Sequence, residues 1–338
     1  MVEGCEGEVE KCWESAHVAR VWAAFAGEFP RWAERYAAEA VVGGTRFAKR
    51  AGHRGAAIAA PPAEWPARLA ALGAQAAADY ARQRAPYDAL LDAESLEEYA
   101  REPREFAREA VSKLPVLNNA LYSAIDEMTV WKRRFGGMLK ARPSLFLQLM
   151  SGVVEFADAY PSGWAPGKFA GVTDPAALGV ECLDPLRGVQ DAGEEWRGEP
   201  ESGGGGVATV RLSIPGLVGA GITSAIGHYR APGHLAPRNR HALAAMYFLA
   251  GRDFIGLESS EFLLWSTRTG SQGHNFAYPY PLFLIHALEV SRLMERFHAR
   301  LGVAYDARHR MALVSDFFFF VARAKEHEIS TWRSSGDL

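Results

Sequence analysis

With 338 residues and a formal net charge of −3, the chain is long enough for one large domain or two of ordinary size, and it carries no electrostatic footprint for nucleic acid. Hydrophobic residues make up 49% of it, including nine Trp, eleven Tyr and eighteen Phe, which is ample for a sizeable core. Cys5, Cys12 and Cys182 are too few and too scattered for a disulfide scaffold or a zinc site, and residues 1–10 lack the basic start and apolar core of a signal peptide. The expected setting is a reducing cytoplasm.

In chain order, the first element is an Ala- and aromatic-rich helix over His17–Ala40, which Pro30 is expected to break. The Pro61-Pro62 and Trp65-Pro66 stretch reads as a turn, and helical composition resumes over Ala67–Arg84, with Pro86 and Pro103 as punctuation. Pro115–Ala141 is the clearest amphipathic helix: Leu117, Leu121, Ile125, Met128 and Trp131 recur at three or four residues and face a core. Ser144–Tyr160 follows Pro143 as a second helix. Between Pro161 and Gly206 periodicity is lost and Gly, Pro and acidic residues dominate, the mark of a long loop or lid. Val207–Ile214 reads as a strand. The remainder returns to helix, over roughly Gly219–Tyr229, Pro237–Leu257, Ser260–Thr267, Pro281–Leu301 and Asp306–Trp332. The apolar runs at 277–288 and 317–321 are too short to span a bilayer. The expected fold is all-α, a predominantly helical bundle with long loops and at most a minor strand near 207–214. Its organisation is an N-terminal helical region over 1–110 and a main helical domain over 111–338, or one single domain.

Eight of the ten histidines lie between His228 and His327. Imidazole binds metals, haem iron and protons near neutral pH, so this crowding is the main functional lead. His241, His309 and His327 read as surface residues. His286 sits on the stripe Leu282, Val290, Leu293 and Phe297, so it should face the interior, where its ring nitrogens need either protein partners or a metal. His298 shares a face with Leu284, Ala287, Ser291 and Met294, and stands either at a pocket or half-exposed at a helix end. No pair has chelating spacing: neither His-x-x-x-His nor His-Glu-x-x-His occurs, which argues against mononuclear zinc or two-histidine iron. A single axial histidine holding haem needs no such spacing.

The glycines Gly203, Gly204, Gly205 and Gly206, with Gly216, Gly219 and Gly221, follow a strand-turn-helix grammar, but no Gly-Lys-Ser/Thr follows them. Ser213, Ser224 and Ser259 lack a nucleophile-elbow setting, and Glu258 and Glu261 around Ser260 read as a helix cap. No catalytic residue is assigned by pattern.

Several stretches taken in order, over about residues 115–300, resemble the indoleamine 2,3-dioxygenase branch of the haem dioxygenase superfamily. Tyr160-Pro161-Ser162-Gly163-Trp164 is similar to that family's Ser-Gly-Trp after two helices. Gly203–Gly206 stands where the family has a glycine- and serine-rich loop lining the haem. The segment Arg252-Asp253-Phe254-Ile255-Gly256-Leu257-Glu258 resembles its His-Arg-x-Phe-Leu-x-x-Leu-Glu, and Arg296-Phe297-His298 stands near its arginine and proximal histidine. The chain departs from the family in three ways: glycine replaces serine in the loop, Arg296 is two rather than three residues before His298, and a helix replaces the closing Gly-Thr-Gly-Gly segment.

The resemblance implies a helical, haem b-dependent oxygenase acting on an indole or related small aromatic substrate. Iron would be held by His298, with His286 as the substitute ligand, which simple burial arguments favour over His298. Arg296 would pair with a propionate or a substrate carboxylate, the glycines would allow close approach to the porphyrin, and Trp164 and Tyr160 would wall the pocket. Two other readings stand beside it. One is a non-catalytic helical protein that binds a partner or an apolar small molecule. The other is a nucleotide-dependent enzyme using the loop from Gly203.

Overall fold

A computed structural model describes residues 12, 15–42, 59–121, 128–163, 195–197, 209–211, 214, 218–251, 262–266, 271–274, 278 and 280–334. Helix dominates these residues, in keeping with the all-α expectation. The helices are α1 (Ser15–Glu39), α2 (Trp65–Leu91), α3 (Ala93–Tyr99), α4 (Pro103–Lys113), α5 (Pro115–Leu121), α6 (Met128–Ala141) and α7 (Pro143–Gly163). They continue with α8 (Ala220–Arg230), α9 (Arg240–Leu249), α10 (Tyr280–Arg300), α11 (Arg310–Ala324) and α12 (Glu326–Ser334). No helix among the described residues is long and apolar enough to cross a membrane.

Prolines shape these helices in two ways. Pro103, Pro115 and Pro143 each open a helix, where the missing N–H costs nothing. Pro30 and Pro86 instead lie inside α1 and α2, which run through them. The expected break at Pro30 does not occur because the carbonyl it orphans, on Ala26, is exposed, as is Pro30 itself. An orphaned carbonyl on the solvent face costs little, while Phe25, Phe29 and Trp32 on the other face stay in the core.

Among the described residues strand is confined to two short antiparallel pairs. The expected strand near 207–214 is β2 (Thr209–Arg211), paired with β1 (Glu195–Arg197) in the register Glu195↔Arg211. The second pair joins β3 (Leu263–Ser266) to β4 (Ser271–His274). It corrects the helix expected over Ser260–Thr267: short apolar runs with aromatic residues suit either state, and pairing with a nearby partner decides between them. The helix expected from Pro237 starts later, because Asn239 is its cap, its Oδ1 accepting from the N–H of His241 and of Ala242 at 3.0 Å. Asp306–Trp332 is not one helix but a 3-10 turn (Ala307–His309), α11 and α12, with Lys325 between the last two. The long amphipathic stripe falls partly outside the described side chains; of its members, Leu117 is buried.

The chain groups into two compact units that do not follow chain order. The first comprises residues 1–79, 239–278 and 283–338. Its core gathers Phe29 of α1, Phe297 of α10 and Phe317 of α11, with ring centroids 5.5 to 6.4 Å apart from Phe29. Tyr36 meets Phe317 edge-on and donates its hydroxyl to Asp316 at 2.8 Å. Arg68 closes the end of α1 by donating to the carbonyls of Ala37 and Ala40. The second unit comprises residues 80–238 and 279–282, with Phe106, Phe135 and Phe146 as its aromatic centre.

Candidate functional site

Helix α10 carries both candidate ligands, and it is apolar enough to be buried along most of its length. From Leu282 to Val290 every described side chain is buried, including His286 and Glu289. Polar groups in such a place must find partners within the protein.

His286 has found two. It is fully buried; the indole N–H of Trp22 on α1 donates to its Nδ1 at 3.2 Å, and its Nε2 lies 2.9 Å from the hydroxyl of Tyr278. An indole nitrogen only donates, so Nδ1 is the lone-pair nitrogen and Nε2 carries the proton, donating to Tyr278. Phe25 and Phe262 meet the ring edge-on at 5.9 and 5.8 Å. Coordination of iron through either nitrogen requires one of these hydrogen bonds to be given up.

One turn on, Glu289 sits between Arg292 at 3.6 Å and Arg296 at 3.2 Å. Burial pushes its carboxyl above the usual range, against the pull of both guanidiniums. Arg292 also lies 5.8 Å over the ring of Trp22. Arg296 itself is 64% exposed. It stands two residues from His298, about 200° around the helix, and the two therefore leave opposite faces of α10.

His298 is different. Only 2% of it is exposed, its Nδ1 lies 3.5 Å from the carbonyl of Ala304, and the ring of Tyr305 meets it edge-on at 5.2 Å. Among the described residues its buried Nε2 has no hydrogen-bond partner. With Nδ1 donating to the carbonyl, Nε2 presents a lone pair. Burial lowers its pKa from the ordinary 6.5, so the ring is neutral at pH 7. Tyr305 is in turn fixed by a 2.9 Å hydrogen bond to Ser291, one heptad before His298 on the same face.

The two histidines are twelve residues apart, which is about 18 Å along the helix axis, so they cannot serve one iron together. Gly203, Gly204, Gly205, Gly206 and Trp164 lie outside the described residues, and Tyr160 lies outside the described side chains. Of the surface histidines, His327 is exposed, while His309 bonds Asp306 and His241 meets Phe319 edge-on. Among the described residues no group of three or more His, Cys, Asp or Glu is placed to hold a metal ion.

Two features of the second unit were not singled out by sequence pattern. His228 is buried and its Nδ1 lies 2.8 Å from the carbonyl of Leu235, a contact seven residues on and beyond the helix end. Beside it, Tyr80, Tyr229 and Tyr87 stack, at 5.8 and 4.2 Å, and the Tyr80 phenol is pushed up to about 12 by burial. Tyr87, Leu91, Val153, Ile226 and Tyr229 line a small cleft. Stacking of tyrosines from helices this far apart in sequence has no local signature.

No protein-family model matches the chain, and comparison with curated proteins and with solved structures returned no significant match.

Proposed function

We propose that this protein binds haem b with His298 as the axial ligand and acts as a haem-dependent oxygenase on an indole or related small aromatic molecule. The observation that carries the reading is the state of His298: a buried imidazole whose Nδ1 is held by a backbone carbonyl and whose Nε2 has no hydrogen-bond partner among the described residues. A buried nitrogen left unsatisfied costs about 1–3 kcal/mol, and an iron bound there recovers that cost. A carbonyl on the far nitrogen is also how ligating histidines are oriented and made more basic. The order of the short stretches between residues 115 and 300 supplies the substrate class, and it is the sole basis for that part of the proposal.

In this reading the haem supplies the activation of dioxygen or of a peroxide, and the chain supplies the rest. His298 offers its Nε2 lone pair without first losing a proton, because burial already disfavours the charged ring. Tyr305, anchored to Ser291, bars the ring from rotating. Arg296 remains the candidate for a propionate or a substrate carboxylate, and its exposed guanidinium must leave Glu289 to take that part. His286 serves the core, through Trp22 and Tyr278, and is not needed as a ligand.

Haemin titration of the purified protein is the direct test. The wild type and the His286→Leu variant are expected to develop a Soret band with one-to-one stoichiometry, and His298→Ala is expected to lose it. A wild type that takes up no haemin, or a His298→Ala variant that binds it unchanged, removes the proposal. With binding established, turnover of indole-containing substrates under oxygen tests the reaction class.

A further inference from the structure

The grip on His298 is built by the end of its own helix. The last turn of α10 closes with Gly302 in the left-handed region, at φ +70°. The N–H of Val303 donates to the carbonyl of His298 at 2.9 Å, and the N–H of Gly302 to that of Ala299 at 3.0 Å. These two bonds, six-to-one and five-to-two, define a Schellman cap in which Gly302 is the left-handed residue and His298 is the third from the end. In such a cap the chain doubles back over the side chain at that third position. Here the residues that come back are Ala304, whose carbonyl faces Nδ1, and Tyr305, whose ring meets the imidazole edge-on.

We infer that Gly302, which touches no part of the imidazole, is the positioning residue that fixes the tautomer and the aim of His298. A left-handed φ is what sends residues 303–305 back across the ring, and without that reversal Nδ1 has no carbonyl to donate to. A Cβ at position 302 meets no atom within 4 Å, so the demand for glycine is purely one of backbone conformation. This separates φ from sterics: alanine is strained there, whereas asparagine tolerates the left-handed region. The role of the turn in preparing a ligand rests on the haem reading, but the tautomer it imposes does not.

Two measurements test the inference separately from that reading. Long-range proton–nitrogen correlation spectra of the haem-free protein, with the His298 signals identified by their loss in His298→Leu, report which nitrogen is protonated. The wild type is expected to carry the proton on Nδ1. Gly302→Ala is expected to shift the ring toward a mixture of tautomers and to weaken haemin binding about tenfold, the low end for loss of an orienting partner. Gly302→Asn is expected to restore both. The inference is overturned by a wild-type ring protonated on Nε2, by a Gly302→Ala protein whose tautomer is unchanged, or by Gly302→Asn behaving as poorly as Gly302→Ala. A wild-type ring protonated on Nε2 overturns the inference even if Gly302→Ala does not fold. Failure of the wild type to bind haemin, with the tautomer as expected, overturns the haem reading and leaves this inference standing.

Discussion

His286 and His298 occupy one helix, are equally buried, and do different things. His286 spends both nitrogens on the protein, joining α1 to α10 through Trp22 and to Tyr278 beyond. His298 spends one, on its own helix cap, and the other has no partner among the described residues. The difference teaches that burial alone does not set a histidine's role, which follows from the hydrogen bonds its two nitrogens make. A buried imidazole with two partners is a structural tie, and one with a single carbonyl partner is poised for something else.

Stability should separate the pair most sharply. His286→Leu keeps an apolar side chain in place but removes the hydrogen bonds to the Trp22 N–H and the Tyr278 hydroxyl, which is expected to cost about 2–4 kcal/mol. His298→Leu gives up one long hydrogen bond and removes an unsatisfied nitrogen, so the haem-free protein should lose no more than about 1 kcal/mol. Urea unfolding with unchanged m-values would measure both. Equal costs would erase the distinction between the two histidines.

The acid side of the stability profile offers a smaller effect. The pKa of His298 is lowered by burial in the folded state, so between its ordinary value of 6.5 and that lower value the unfolded chain holds a proton that the folded chain does not. Stability therefore falls as pH drops through that window, with a slope of at most about 1.4 kcal/mol per pH unit from this group. His298→Leu should flatten the profile there, whereas wild type and variant should run parallel from pH 7 to 8. A profile unaltered by the substitution would mean that the ring is protonated in place.

Much of this was legible in the sequence, and the limits have physical causes. The helices at 143–163, 220–230 and 280–300 follow from periodicity and proline placement, and the stripe through Leu282, Val290, Leu293 and Phe297 foretold that His286 faces inward. What periodicity cannot give is the partner: Trp22 lies 264 residues from His286, and nothing local announces that pairing. The β3–β4 pair was missed because a short apolar run does not reveal its own period. For His298 a local signal does exist. Gly302, just past the last periodic residue, marks a left-handed cap, and such a cap folds residues 303–305 over the side chain at 298. Nothing in chain order, finally, foretells that α1 shares a core with Phe297 and Phe317.

The smallest effect concerns the far end of the segment that grips His298. Asp306 caps the 3-10 turn, its Oδ1 accepting from the N–H of Arg308 at 3.0 Å and its Oδ2 lying 2.9 Å from Nδ1 of His309. These partners, His309 first and then the Arg308 side chain, hold its carboxyl down to about 2. The depressed value means that the carboxylate stabilises the folded state above the usual carboxylate range near pH 4, and that this contribution is lost as pH falls through about 2. The side chain is 43% exposed, so solvent screens much of the charge. Asp306→Asn keeps a capping oxygen and should cost only about 0.5 kcal/mol at neutral pH, a difference that vanishes near pH 2. The tautomer of His298 should not change, because the reversal that places Ala304 and Tyr305 is set at Gly302, before the cap is reached. A tautomer shift in Asp306→Asn as large as that in Gly302→Ala would move control of the ring from the helix end to the turn that follows it.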